Sequence, residues 1–132
     1  MKKMFMIIMV AFLLTINVLG QSRAYRGSSP YGSPILTIVS GKVYLGSSPY
    51  GSPIMIIDGF KIYSGSSPYG SPIATVSEGK VYAGSSPYGS PIAVINGDKV
   101  YAGSSPYGSP IATIDSGGQM SGAAAAAFLL LM

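Results

Sequence analysis

Repetition constrains this chain more than any other feature. One 19-residue unit starts at Tyr25, Tyr44, Tyr63, Tyr82 and Tyr101, and each start is followed by GSSPYGSPI, at 27–35, 46–54, 65–73, 84–92 and 103–111. All ten prolines and all ten tyrosines belong to this pattern. So short a unit cannot bury an apolar face alone, and the copies must stack or close on one another.

The fourth copy shows how one unit reads. Ser90-Pro91-Ile92-Ala93-Val94-Ile95 is rich in β-branched residues and opens with a proline that suits a strand start or edge. Asn96-Gly97-Asp98 reads as a tight turn, since Asn and Gly tolerate positive φ, and Asp58-Gly59 serves the same end in the second copy. Lys99-Val100-Tyr101 is the returning strand. Gly103-Ser104-Ser105-Pro106-Tyr107-Gly108 then reverses the chain, with proline at the second position of a type I turn. The units therefore predict β-hairpins at 25–43, 44–62, 63–81, 82–100 and 101–119, joined by ordered connectors.

Three aliphatic positions recur and are the predicted core: Ile35, Ile54, Ile73, Ile92 and Ile111; Ile38, Ile57, Val76, Ile95 and Ile114; and Val43, Ile62, Val81 and Val100. The fifth copy degenerates after Asp115, where Gly118, Gln119 and Met120 replace Lys-Val-Tyr. Residues 120–132 then predict a helix. Ser121 is its candidate cap, and Ala123 to Met132 (AAAAAFLLLM) form a strong helix-forming run. A helix apolar all round belongs inside protein or lipid. Filling the centre of a ring of hairpins is the favoured reading, and capping one end of an open stack is the alternative. Membrane contact through Ala123–Met132 is less favoured.

Lys2-Lys3, the apolar run from Met4 to Leu14, and Val18 and Gly20 before Gln21 make the three parts of a secretory signal peptide over residues 1–20. The apolar run is shorter than the ~20 residues of a spanning helix, which disfavours an uncleaved anchor. Residues 21–24 then read as a short linker. The expected destination lies beyond the inner membrane: periplasm, cell surface or exterior.

Composition removes much chemistry. The sequence holds no Cys, no His and no Trp. It therefore lacks disulfides, the commonest zinc ligands, and the base of Ser-His or Cys-His pairs. Without Lys2 and Lys3, Arg23, Arg26 and Lys42, Lys61, Lys80 and Lys99 face Asp58, Glu78, Asp98 and Asp115. That small, dispersed excess gives no footprint for nucleic acid. The four acids all fall in mid-unit turns at shifting offsets, so they offer no matched carboxylate pair. Gly-Ser-Ser-Pro-Tyr-Gly lacks a following helix and spends one amide on proline, which argues against a phosphate cradle.

The repeated G-x-P-I-A-T-I, the glycine turn and K-V-Y together resemble the bacterial β-flower proteins, in which hairpin petals are arranged with pseudo-rotational symmetry. Five copies, a signal peptide and an Ala-Leu-rich tail resemble the five-fold β-flower family in particular. The resemblance covers Tyr25 to Met132 and implies an all-β, closed, pseudo-five-fold arrangement. It carries over no catalytic or ligand residue. A parallel β-helix with 19-residue rungs is the structural alternative, disfavoured by Asn-Gly and Asp-Gly at the turns. Curli-like amyloid is disfavoured by the lack of Gln/Asn ladders.

No catalytic residue, metal ligand or cofactor is expected. The candidate surface is the connector set Tyr31, Tyr50, Tyr69, Tyr88 and Tyr107, with the hydroxyls of Ser28, Ser47, Ser66, Ser85 and Ser104 beside them. A phenol ring offers an apolar face with a polar tip, suited to stacking a sugar or peptide. The plainer reading, which is favoured, is that each ring packs over its own proline and clamps the connector. The functional expectation is an exported, non-enzymatic structural or interaction protein that contacts a cell-envelope polymer or protein. A carbohydrate- or peptide-binding module is the alternative.

Overall fold

The computed structural model of the protein describes residues 21–132. The expected signal peptide lies outside the described residues. Ten strands and one helix follow: β1 (Gln21–Arg26), β2 (Leu36–Val39), β3 (Lys42–Leu45), β4 (Met55–Asp58), β5 (Lys61–Ser64), β6 (Ala74–Ser77), β7 (Lys80–Ala83), β8 (Ala93–Asn96), β9 (Lys99–Ala102), β10 (Ala112–Ile114) and α1 (Gln119–Leu131). Each strand pairs antiparallel with its sequence neighbours, and β1 also pairs with β10, closing the sheet into a barrel. Closure leaves no free edge for another chain to extend.

Two-residue turns set the hairpin registers, in two kinds. Val39 pairs with Lys42 across Ser40 (φ 52°) and Gly41 (φ 78°), and Ser77 with Lys80 across Glu78 (φ 53°) and Gly79 (φ 76°). Positive φ at both central residues is the type I′ pattern. Asp58 pairs with Lys61 across Gly59–Phe60, and Asn96 with Lys99 across Gly97–Asp98. There only the glycine is positive, at 63° and 65°, as in type II′. Asn96 therefore ends strand β8 and is not a turn residue as expected. A primed two-residue loop matches the twist of the flanking strands.

The expected linker at 21–24 is a correction. Those residues are strand, and they complete the hairpin that the degenerate fifth copy leaves unfinished. Ala24, Tyr25 and Arg26 pair with Ile114, Thr113 and Ala112. This is the register in which Val43, Tyr44 and Leu45 pair with Ile38, Thr37 and Leu36. Arg23-Ala24-Tyr25 thus takes the place of Lys-Val-Tyr. The main-chain nitrogen of Arg23 donates to Asp115 Oδ1 at 2.7 Å, and that of Asp115 to the Arg23 carbonyl at 3.0 Å. The missing return strand is supplied by the other end of the domain, not by the tail.

Strand alternation points three residues per hairpin inward. The Val43 set is buried as expected, and so are Ile38, Val76 and Ile114 of the second set, whereas Ile57 and Ile95 are half-buried against the core. The third is corrected: Ile35 and its equivalents precede the strands and are only half-buried, packed against the core. The fully buried set is the next residue along: Leu36, Met55, Ala74, Ala93 and Ala112. On the outer face Thr37, Thr75 and Thr113 are also buried, and their hydroxyls donate to the carbonyls of Gly46, Gly84 and Gly27 at 2.8 Å. Ile56 and Val94 hold the same place in the second and fourth copies.

Helix α1 occupies the interior, with Ser121 through Ala127 buried and Ala123 to Ala127 fully so. It packs most closely against β1, β8, β9 and β10. Ala24, Ala93 and Ala112 line that side, while the bulkier Met55, on β4, lies across the barrel. Small residues let the helix backbone approach, and large ones occupy the space it leaves. At the closest approach a Cβ on Gly122 would lie 3.2 Å from both Ile95 and Val100. The helix begins at Gln119 behind Gly118, so Ser121 is not its cap. Its hydroxyl instead bonds that of Ser22 at 2.9 Å, inside the barrel. Gln119 Oε1 accepts from the Gly79 amide at 3.0 Å, which fixes the helix entry at the hairpin-turn end.

Candidate interaction surface

The barrel has two unlike ends. At one lie the hairpin turns, and with them Asp58, Glu78, Asp98 and Asp115, the four acidic residues of the sequence. At the other lie the connectors, whose backbone is tied to the strand ends: Gly27 N donates to the Ile111 carbonyl at 2.9 Å and Ile35 N to the Ala24 carbonyl at 2.8 Å. Topology alone places the connectors in a ring there, because each joins two strands of a closed barrel.

Tyr31, Tyr50, Tyr69 and Tyr88 are each 82% exposed and Tyr107 is 81% exposed. Rings this exposed do not pack over their prolines, so the clamping reading is corrected. The prolines are half-buried, and Ser28, Ser47, Ser66, Ser85 and Ser104 are exposed alongside. The geometry thus repeats one phenol and its neighbouring hydroxyls around the rim.

The structure also brings to this end residues that the sequence reading did not join to the tyrosines. Helix α1 runs from the turn end to the connector end, where Leu129 and Leu130 form an apolar cleft with Arg26, Gly27, Pro110 and Ile111. Beyond it Leu130, Leu131 and Met132 are 41%, 37% and 56% exposed. Leu45, the residue before the second connector, is exposed as well. Arg26, at the same position before the first connector, is the cation that lines this cleft. The signal was available: a buried helix entering at the turns and longer than the four-residue strands must emerge beyond them.

The lysines lie on the wall. Lys42, Lys61, Lys80, Lys99 and Arg23 each flank one side of an outward β-branched residue, and Tyr63, Tyr82, Tyr101, Tyr25 and Tyr44 flank the other. Lys42 and Lys80 are exposed, as expected. Lys61 and Lys99 are half-buried; Lys61 Nζ donates to the Ser85 carbonyl at 3.1 Å, and Lys99 Nζ lies 3.5 Å from Asp98 Oδ1. Among the described residues no cluster of three or more metal-ligating side chains occurs, and no helix is long and apolar enough to cross a membrane.

No curated protein and no solved structure matches this chain. A family model does, over residues 24–132, and its description is "6-fold beta flower protein". The resemblance to a β-flower is therefore correct, whereas the matching family is the six-fold one and not the five-fold one expected. With the match spanning nearly all the described barrel and its helix, the chain belongs to the 6-fold beta flower family.

Proposed function

We propose that the chain is a five-petalled, exported, non-enzymatic interaction protein that binds its partner through the connector end. Five copies of GSSPYGSPI on ten strands support the petal count. Lys2-Lys3 and the apolar run behind them support export, to the periplasm, the cell surface or the exterior. The single observation that carries the reading is the exposure of the five connector tyrosines. Exposed, repeated aromatics on a rigid rim present several weak contacts at once, and multivalency raises avidity without any new contact. Sequence chemistry supports the non-enzymatic part, because the acids are dispersed in separate turns and the sequence has no His or Cys.

A carbohydrate or peptide ligand is the second reading, favoured by the serine hydroxyls that flank each ring. Immobilised protein probed with panels of envelope glycans, peptides and lipid vesicles tests both. Retention of at least one class, lost when all five connector tyrosines are changed to serine, is the expected result. Binding that survives the five-fold change, or no binding to any panel, overturns the proposal.

A further inference from the structure

We infer that the partner of the connector end is a lipid bilayer, onto which this end docks at the headgroup level with the tip of α1 inserted. The inference rests on the functional reading above and names its partner. Three observations converge on it.

The first is the apolar tip. Leu130, Leu131 and Met132 stand exposed at the end of a helix whose preceding residues are enclosed, so the apolar surface is held out from the barrel by a rigid support. Such a patch on a water-exposed end marks a contact surface. The second is the rim. Tyrosines concentrate where a protein meets the membrane interface, because the ring sits in the apolar boundary and the hydroxyl stays with water and headgroups. The connectors carry five, each with serine hydroxyls able to bond phosphate or glycerol oxygens. The third is charge. Every carboxylate side chain lies at the hairpin turns, at the far end of the barrel, and Arg26 lies beside the tip. A surface without acidic side chains and bearing a cation beside the Met132 carboxylate suits lipid phosphates, whether the lipid is zwitterionic or anionic.

The helix also sets the depth. The carbonyls of its last turn have no intrahelical partner, and leaving them in hydrocarbon is costly. Insertion therefore stops within the interfacial layer, some ~5–10 Å deep, as for amphipathic surface helices. Arg26 alone beside the tip, with Lys61 engaged on the Ser85 carbonyl, implies weak dependence on anionic lipid: replacing zwitterionic lipid by a mixture with one-third anionic lipid should raise binding less than about tenfold.

Vesicles of phosphatidylcholine alone, and of phosphatidylcholine with one-third phosphatidylglycerol, test the inference with the mature chain. Wild-type protein is expected to co-sediment with both. A Leu130→Ser, Leu131→Ser, Met132→Ser triple variant should lose at least tenfold in partitioning, and a Tyr31→Trp reporter should be quenched by lipids brominated near the headgroup. The substituted tip residues lie outside the enclosed part of the helix, and far-UV circular dichroism with a urea melt verifies the fold. A Lys42→Ser, Lys80→Ser variant of the outer wall should bind as the wild type does. No sedimentation at millimolar lipid, or sedimentation indifferent to the tip, overturns the inference. So does a tip-dependent dimer in lipid-free solution, which would make a second copy the occupant. Tyrosine-dependent glycan binding without vesicle binding overturns it too, while leaving the broader proposal standing.

Discussion

Moving bulk from one side of the barrel to the other tests the idea that the close approach at Gly122 and the Ser121–Ser22 hydroxyl pair, rather than side-chain volume, hold α1 off centre. Met55 on β4 and Ala93 on β8 hold equivalent inward positions, both with 0% exposure, four strand steps apart around the ring. Met55→Ala removes about two to three methylene equivalents, worth about 2 kcal/mol of transfer, and the cavity left behind adds about 1 kcal/mol. Ala93→Met presses the same bulk into the wall against which the helix already packs closely, at a cost of about 2 kcal/mol. The double variant conserves composition and total core volume. If α1 is held in place by Gly122 against Ile95 and Val100 and by Ser121 on Ser22, it cannot slide toward β4, and the losses should add to about 5 kcal/mol. Urea unfolding followed by far-UV circular dichroism measures all four proteins, with an unchanged m-value as the check on two-state behaviour. Recovery of the double variant to within about 1 kcal/mol of wild type refutes the reasoning, because the helix would then be free to follow the available space.

Two further predictions use single sites. Glu78 holds φ 53° in a type I′ turn where Asn is favoured, so Glu78→Asn should stabilise by about 0.5–1 kcal/mol, read as a higher urea midpoint. Ser22→Ala leaves the buried Ser121 hydroxyl without its partner and should cost about 1–3 kcal/mol, whereas Ser22→Ala with Ser121→Ala should recover most of that loss in the same melt.

The hairpins were legible because their signals are local. Ile38 follows Thr37 and Val43 lies between Lys42 and Tyr44, and the turns carry glycine where the backbone needs positive φ. The enclosed part of the helix was legible too, since Ala123–Ala127 offer no polar side chain on any face. What was hidden depends on distant parts of the chain. Arg23-Ala24-Tyr25 departs from Lys-Val-Tyr at two of three places, and only its pairing with β10, some ninety residues away, shows it to be the same strand. Ala93 and Ala112 look too small for a core until the helix that fills the space is placed beside them. The tyrosines could have lain on their prolines or projected. Local sequence does not decide between these, because Ser-Pro-Tyr-Gly forms the same turn with the ring in either place. The apolar tip joins the tyrosines only through the direction in which α1 threads the barrel.

Pairing β1 with β10 also orders events in time. A chain leaving a ribosome or a translocation channel amino end first presents β1 long before β10 can receive it. Until Ala123–Ala127 arrive, the closing hairpins have nothing to enclose. Closure therefore comes last, with contacts of long sequence separation and the slow folding they bring. Such a chain stays open until its last residues are free, and the step that completes the barrel is also the step that brings its helix tip to the connector rim.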